Sequence, residues 1–180
     1  QVTMAPDGKT VAQSKVYFSG GNMRIDNAMP QSSANLVMIF RSDLKKNVML
    51  NADRKTFFER DFDENEMAGA MQSMGPVKNR REKTVGEETV SGYRCVKKEI
   101  EADIEVMGYK QTARSVVWQS PQFDLPLRTH AGNGHVTELR NIKAEKPAAA
   151  VFEVPAGYSR VSDMMQLLAE LEDLMGRRSG

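Results

Sequence analysis

The residues that most often carry chemistry are scarce in this chain. Its 180 residues hold one cysteine, Cys95, one tryptophan, Trp118, and two histidines, His130 and His135. A lone thiol excludes an internal disulfide and leaves the redox compartment open. An excess of one charge is lacking too: 25 lysines and arginines face 24 aspartates and glutamates, a net of +1. No strong field therefore gathers nucleic acid or an anionic membrane. No window reaches the ~18 apolar residues of a membrane span. A Gly-rich phosphate loop, a serine nucleophile elbow and a paired-cysteine motif are also missing.

What is present is the material for a core. The hydrophobic fraction is 40%, and the length suffices to bury that core without covalent staples. Most of the chain alternates apolar and polar residues between polar turns, the pattern of an antiparallel meander. Pro6-Asp7-Gly8-Lys9, Gly20-Gly21, Asp43–Lys46, Asn51–Arg54 and Ser91-Gly92 read as turns. The strands between them include Thr10–Ser19, Met23–Asp26, Leu36–Phe40, Asn47–Leu50, Thr56–Arg60, Val77–Val90, Tyr93–Ile104 and Tyr109–Trp118. Gly132-Asn133-Gly134, between alternating runs, predicts a hairpin. Val151–Val154 predicts a short closing strand after the Lys/Pro/Ala linker Glu145–Ala150. The basic stretch Lys78–Lys83 suits a solvated edge, where cations discourage pairing with other chains. Gln1 in place of methionine leads us to expect a trimmed start, cut either by a signal peptidase or in preparing the protein.

Two helical stretches interrupt the strands. Met67, Met71 and Met74 line one face of a helix expected over 63–74, with Asp61 or Asp63 as cap and Gly75-Pro76 as stop. Met164, Leu167, Leu168, Leu171, Leu174 and Met175 line one face of a helix expected over 163–175, capped by Ser162. Methionine is unbranched and polarizable and serves adaptable binding surfaces. Each exposed side chain of that size forfeits ~1.5–3 kcal/mol of burial, so these faces need the sheet, a ligand or a partner. The acids Glu170, Glu172 and Asp173 on the last helix have the wrong sign for an anionic lipid surface.

Groups able to do catalysis are unconvincing. His130 and His135 straddle the hairpin turn; with Asn133-Gly134 as a two-residue loop they share a face ~7–8 Å apart. Two ligands fall short of the three or four a metal wants. Cys95 sits in a strand beside Tyr93 and Val96 and reads as a buried thiol. Glu99, Glu101 and Asp103 alternate along one strand face, where solvated carboxylates have nothing to raise a pKa. We expect no enzyme activity, no cofactor and no metal.

Thr89-Val90-Ser91-Gly92-Tyr93-Arg94-Cys95, Val117-Trp118, Leu125-Pro126-Leu127, Asn141-Ile142 and the closing Phe152-Glu153-Val154-Pro155-Ala156-Gly157-Tyr158 together carry a resemblance. Over roughly residues 10–160 the chain resembles an exported bacterial family of unknown function related to the LolA/LolB-like lipoprotein carriers. The resemblance implies an open antiparallel half-barrel, a periplasmic location and an apolar cavity plugged by helices, which in the carriers takes acyl chains. The carriers begin with a helix, whereas this chain begins with a strand and ends with a helix.

The expected fold is therefore α+β, mostly β: one strongly curved antiparallel sheet of about ten strands, near the upper limit of an open sheet, with helices over its concave face. Residues 1–160 form a single half-barrel domain with an inserted helix near 63–74, and 161–180 form an amphipathic helix and tail. Pocket-lining residues are expected to be Val16, Phe18, Met23, Ile25, Met38, Phe40, Val48, Leu50, Val116 and Trp118, with Met67, Met71 and Met74 as lid. A register slip of one residue inverts a strand's faces. The leading functional expectation is a non-enzymatic periplasmic carrier for a lipid or acyl chain. The alternative is an interaction or envelope-sensor module that docks a protein partner or second copy through residues 162–175 or an edge strand. Neither involves nucleic acid or a membrane-spanning segment.

Overall fold

The computed structural model describes residues 1–27, 35–61, 77–106, 109–123, 125–167 and 169–170. Alternating patterns build strands in chain order: β1 (Val2–Met4), β2 (Thr10–Gln13), β3 (Lys15–Ser19), β4 (Asn22–Asp26), β5 (Leu36–Arg41), β6 (Lys46–Asn51), β7 (Thr56–Asp61), β8 (Val77–Val90), β9 (Tyr93–Val106), β10 (Tyr109–Gln119), β11 (Arg128–Ala131), β12 (Val136–Glu138) and β13 (Ser159–Arg160). The protein is thus mostly β, with antiparallel pairing from β3 through β7, from β8 through β12 and between β1 and β12, and parallel pairing between β13 and β7.

Instead of the single sheet expected, the strands form two. A seven-stranded sheet runs β2-β1-β12-β11-β10-β9-β8, and a six-stranded sheet runs β13-β7-β6-β5-β4-β3. Neither closes into a barrel. The chain divides into two units, residues 1–11 with 63–143 and residues 12–62 with 144–180. Local alternation locates strands but carries no information on which edges pair over long separations, so the partition was not legible in it.

The unit of residues 1–11 and 63–143 is dominated by the long hairpin of β8 and β9. Its Ser91-Gly92 loop has φ of 50° and 83°, the pair of positive values a two-residue type I′ turn requires. β8 is the sheet edge, as expected for its basic stretch, and residues 79–89 are exposed. Two register shifts, between Lys78 and Arg81 and between Thr84 and Gly86, interrupt the edge. Bulges and charges of this kind keep an edge from recruiting foreign strands. Val90, Cys95, Trp118 and Leu127 form the buried cluster, with Tyr93, Val116, Phe123, Leu139 and Ile142 around it.

The unit of residues 12–62 and 144–180 is a meander covered on both sides. On one face Val37, Ile39, Val48 and Leu50 pack with Phe152, joined by Tyr17, Phe57, Val154 and Tyr158. Phe152 belongs to a 3-10 turn, Ala149–Phe152, rather than to the short strand its alternation suggested. Two arginines hold this segment: Arg24 Nη1 donates to the Val151 carbonyl (3.1 Å) and Arg41 Nη1 to the Phe152 carbonyl (3.2 Å). Each is oriented by a neighbouring carboxylate, Asp26 for Arg24 and Asp43 for Arg41. The closing motif quoted from the sequence is therefore the cover of this sheet face. On the other face Leu36 packs with Val161 and Leu167, joined by Met49 and Phe58.

Residues 164–167 and 169–170 are helical. Asp163, not Ser162, is the cap: its Oδ1 accepts the Gln166 backbone N–H at 2.8 Å. Gln166 Oε1 in turn accepts from Ser162 N and Oγ, a reciprocal arrangement close to a capping box. Leu167 is fully buried and Met165 is 72% exposed, so Leu167 docks on its own sheet. The expected helix near 63–74, and Leu168, Leu171, Leu174 and Met175, lie outside the described residues.

Candidate apolar binding face

Cross-strand register decides which side chains share a face. Phe18 lies opposite Met23, Met23 opposite Phe40 and Phe40 opposite Asn47. The next row runs Val16, Ile25, Met38, Met49 and Phe58. Six of the residues expected to line a pocket, Val16, Phe18, Met23, Ile25, Met38 and Phe40, thus stand together on one face of the six-stranded sheet. Met23 and Phe40 are buried, and Val16, Phe18, Ile25 and Met38 are half-buried. Thioether and phenyl groups alternate across this surface, and sulfur–aromatic contacts add ~0.3–1.5 kcal/mol each to ordinary burial.

Val48 and Leu50 stand on the opposite face, against Phe152. Their expected placement is corrected by one residue along β6. The sequence Asn47-Val48-Met49-Leu50-Asn51 reads as asparagines outward and Val48 and Leu50 inward. Both sides of β6 are in fact covered: Asn47 is 4% exposed and Asn51 0%. In a strand buried on both faces, polar alternation does not mark solvent. The residues missed on the Met/Phe face are accordingly Leu36, Asn47, Met49, Asn51 and Phe58. Asn51 Oδ1 accepts the Arg54 backbone N–H at 3.1 Å. Asn47 Oδ1 and Asn51 Nδ2 are buried without a hydrogen-bond partner among the described residues.

Val116 and Trp118 belong to the other unit, on β10 of the seven-stranded sheet. Trp118 is 3% exposed, covered by polar side chains. Its Nε1 donates to Glu88 Oε2 at 2.7 Å. Lys97 Nζ and Arg128 Cζ lie 5.0 and 5.5 Å from its ring, and the His130 ring centroid lies 4.6 Å away. Glu138 accepts from Arg128 at 2.9 Å and from Arg140 at 3.0 Å. A tryptophan so enclosed is a cation–π keystone of its sheet, with no open ring face for a ligand. Met67, Met71 and Met74, the expected lid, lie outside the described residues.

The histidines do not meet. Gly134 N–H donates to the Ala131 carbonyl and Ala131 N–H to the His135 carbonyl, both at 2.9 Å. The loop therefore has three residues, 132–134, with Gly134 at φ 84°, the type I turn plus left-handed residue of a G1 bulge. His130 pairs with Val136, which puts His135 on the opposite face. Burial, then the charges of Arg128 and Lys97, keep the His130 pKa below its ordinary value. Burial pushes the Cys95 thiol up, and its Sγ lies 3.5 Å from the Tyr93 carbonyl oxygen. Among the described residues no three or more His, Cys, Asp or Glu are grouped to hold a metal ion. Among the described residues the strands present none of these four types on the Met/Phe face, and one carboxylate reaches its end from the C-terminal helix, where Thr56 Oγ1 donates to Glu170 Oε2 at 2.5 Å; what the strands offer is apolar contact, thioether sulfur and two buried amides.

The described fold is that of an antiparallel, sheet-rich protein with an apolar face on its smaller sheet. The chain belongs to the family described as a domain of unknown function, DUF4412, whose profile matches residues 1–113. That match ends within β10, so the closing motif at 152–158 lies beyond it. No curated protein matches the chain. No helix among the described residues is long and apolar enough to cross a membrane.

Proposed function

We propose that the protein is a non-enzymatic, exported carrier that holds a lipid or acyl chain against the Met/Phe face of its six-stranded sheet. The observation that carries this reading is the register: Val16, Phe18, Met23, Ile25, Met38 and Phe40, from three successive strands, form one continuous apolar surface. Four of the six are only half-buried, and a contiguous exposed apolar surface marks a place where something binds. In this reading the sheet is the open half-barrel of a LolA/LolB-like carrier, with its helical segments over the concave side. The periplasm is the proposed location, in keeping with the resemblance read from the sequence.

Delipidated protein should take up a fluorescent fatty acid in a saturable manner. Phe18→Asp, on a half-buried strand position, should abolish uptake while circular dichroism and the urea midpoint stay close to wild type. Uptake by neither protein, or by both equally, removes the proposal.

A second reading rests on β8. This 14-residue strand is a sheet edge with exposed side chains over 79–89, which an extended segment of a partner could extend. The helix at 164–170, the other docking element expected, already buries Leu167 on its own unit.

A further inference from the structure

The outer edge of β8 holds three residues that its own sheet does not explain. Residues 79–89 are exposed, and a sheet edge presents a row of unpaired N–H and C=O groups. Gly86 sits at a bulge, but a bulge demands glycine only in the left-handed conformation. Gly86 is not among the positive-φ glycines, and a Cβ on it would meet nothing within 4 Å. A strand glycine without those reasons marks a place where another backbone comes close. Val85 beside it is 41% exposed, an apolar residue in a charged strand. Lys83, opposite Glu99 on β9, makes no ion pair among the described residues.

The register shift between Thr84 and Gly86 makes this strand complementary to itself. Lys83 lies opposite Glu99 and Glu88 opposite Cys95. Glu99 and Cys95 share a face of β9, so Lys83 and Glu88 share a face of β8, the bulge supplying the odd residue between them. Thr84 and Glu87, opposite Lys98 and Val96, share the other face. We propose, on the reading in which β8 takes an added strand, that this strand is the β8 of a second copy of the chain. The two pair antiparallel about a two-fold axis between Val85 and Gly86. Lys83 then stands opposite the second copy's Glu88, Thr84 opposite its Glu87 and Val85 opposite its Gly86, and each contact occurs twice. Both strands carry the extra residue at the same place, so the mismatch that turns away an unbulged strand vanishes. Gly86 leaves room for Val85 of the other copy. Glu88 has capacity for the added cation: its Oε2 accepts from Trp118 and lies 3.9 Å from Lys97, while its side chain is 48% exposed and a carboxylate has a second oxygen to offer. Sliding the copies until Arg81 faces Glu88 brings Glu82 opposite Glu87, and like charges directly opposite are destabilising.

The test is sedimentation velocity of the full chain over a range of concentrations at low and high salt, with hydrogen exchange at both ends of that range. The chain should dimerise, less tightly at high salt. Amides of residues 79–89 should gain protection with concentration, while those of β2, the opposite edge of the same sheet, do not. Lys83→Glu turns both attractive contacts repulsive and should weaken the dimer about tenfold or more. Thr84→Cys protein mixed with Glu87→Cys protein should cross-link under mild oxidation faster than either variant alone. A monomeric chain whose β8 amides are protected by an added Thr/Val peptide overturns the self-pairing alone; a monomer protected by no peptide removes the edge reading with it. A dimer with unprotected β8 amides, one indifferent to Lys83→Glu, or cross-linking no faster in the mixture would each overturn the proposal. The wild-type measurements stand even where a variant fails to fold.

Discussion

Gly132 and Gly134 do different work in one three-residue loop. A Cβ on Gly132 would sit 2.8 Å from the Arg114 carbonyl oxygen of the neighbouring strand, so the side chain is forbidden by backbone approach. Gly134 is confined by conformation, at φ 84°, and a Cβ there would press on Pro6 at 3.0 Å. Gly132→Ala should cost about 1–3 kcal/mol, as overpacking does. Gly134→Ala should cost about 1–2 kcal/mol from the left-handed backbone alone. Urea unfolding with an unchanged m-value checks both. Asn-Gly was legible as a hairpin because turn chemistry is local. The loop length, and with it the face of His135, was set by the contact of Gly132 with β10, a neighbour remote in sequence.

The C-terminal helix shows how one element divides its residues between conformation and packing. Asp163 fixes the start and Leu167 fixes the docking. Asp163→Ala should lower stability by about 0.5–2 kcal/mol, and Leu167→Ala by about 2–5 kcal/mol. Met165→Ala, on the exposed side, should stay within about 0.5 kcal/mol. Thermal melts of the three variants would show this order; equal effects would mean that the helix is not held through Leu167. β8 poses the opposite problem, an element whose outer edge lacks a strand partner among the described residues. Its arginines and glutamates are largely engaged nearby, Arg80 with Glu82, Lys98 with Glu82 and Arg94 with Glu87. Exposure and charge at this edge were both readable from Lys78–Lys83, since gatekeeping is a property of the local sequence.

Across the molecule, Asp43, Asp61, Glu82, Glu88, Asp103 and Glu138 all have pKa values below their ordinary range. For Asp43, Asp61, Glu88 and Asp103 the largest cause is a side-chain hydrogen bond, from Arg41, Lys46, Trp118 and Asn79 respectively. For Glu82 and Glu138 burial pushes upward and is outweighed by the hydrogen bonds of paired cations. Because these carboxyls are harder to protonate folded than unfolded, the stability they contribute is present above about pH 4–4.5. It is lost as pH falls through the folded values, which for Asp43 is about 2. Urea midpoints followed by Trp118 fluorescence should decline modestly below about pH 6.5, where His130 is protonated in the unfolded chain before the folded one, and drop further below about pH 4.5 as the carboxyls protonate. A profile flat to pH 3 would contradict these ion pairs.

Strand positions, turns and the charged edge follow from residues adjacent in the chain: β8, β9 and β10 start and end within about two residues of where alternation placed them. Six residues of the candidate face were legible because β3, β4 and β5 carry apolar side chains in register. Val48 and Leu50 were not, because β6 is buried on both sides and its asparagines mimic a wet face. The helical start came within one residue, Asp163 for Ser162, since caps are local chemistry. The division into two sheets, the removal of Val116 and Trp118 from the face they were grouped with, and the use of Phe152 as a cover all depend on pairing and packing between segments far apart in the chain. Alternation has a period and a phase; the period is written along the strand, while the phase is chosen by whatever comes to lie on each side of it.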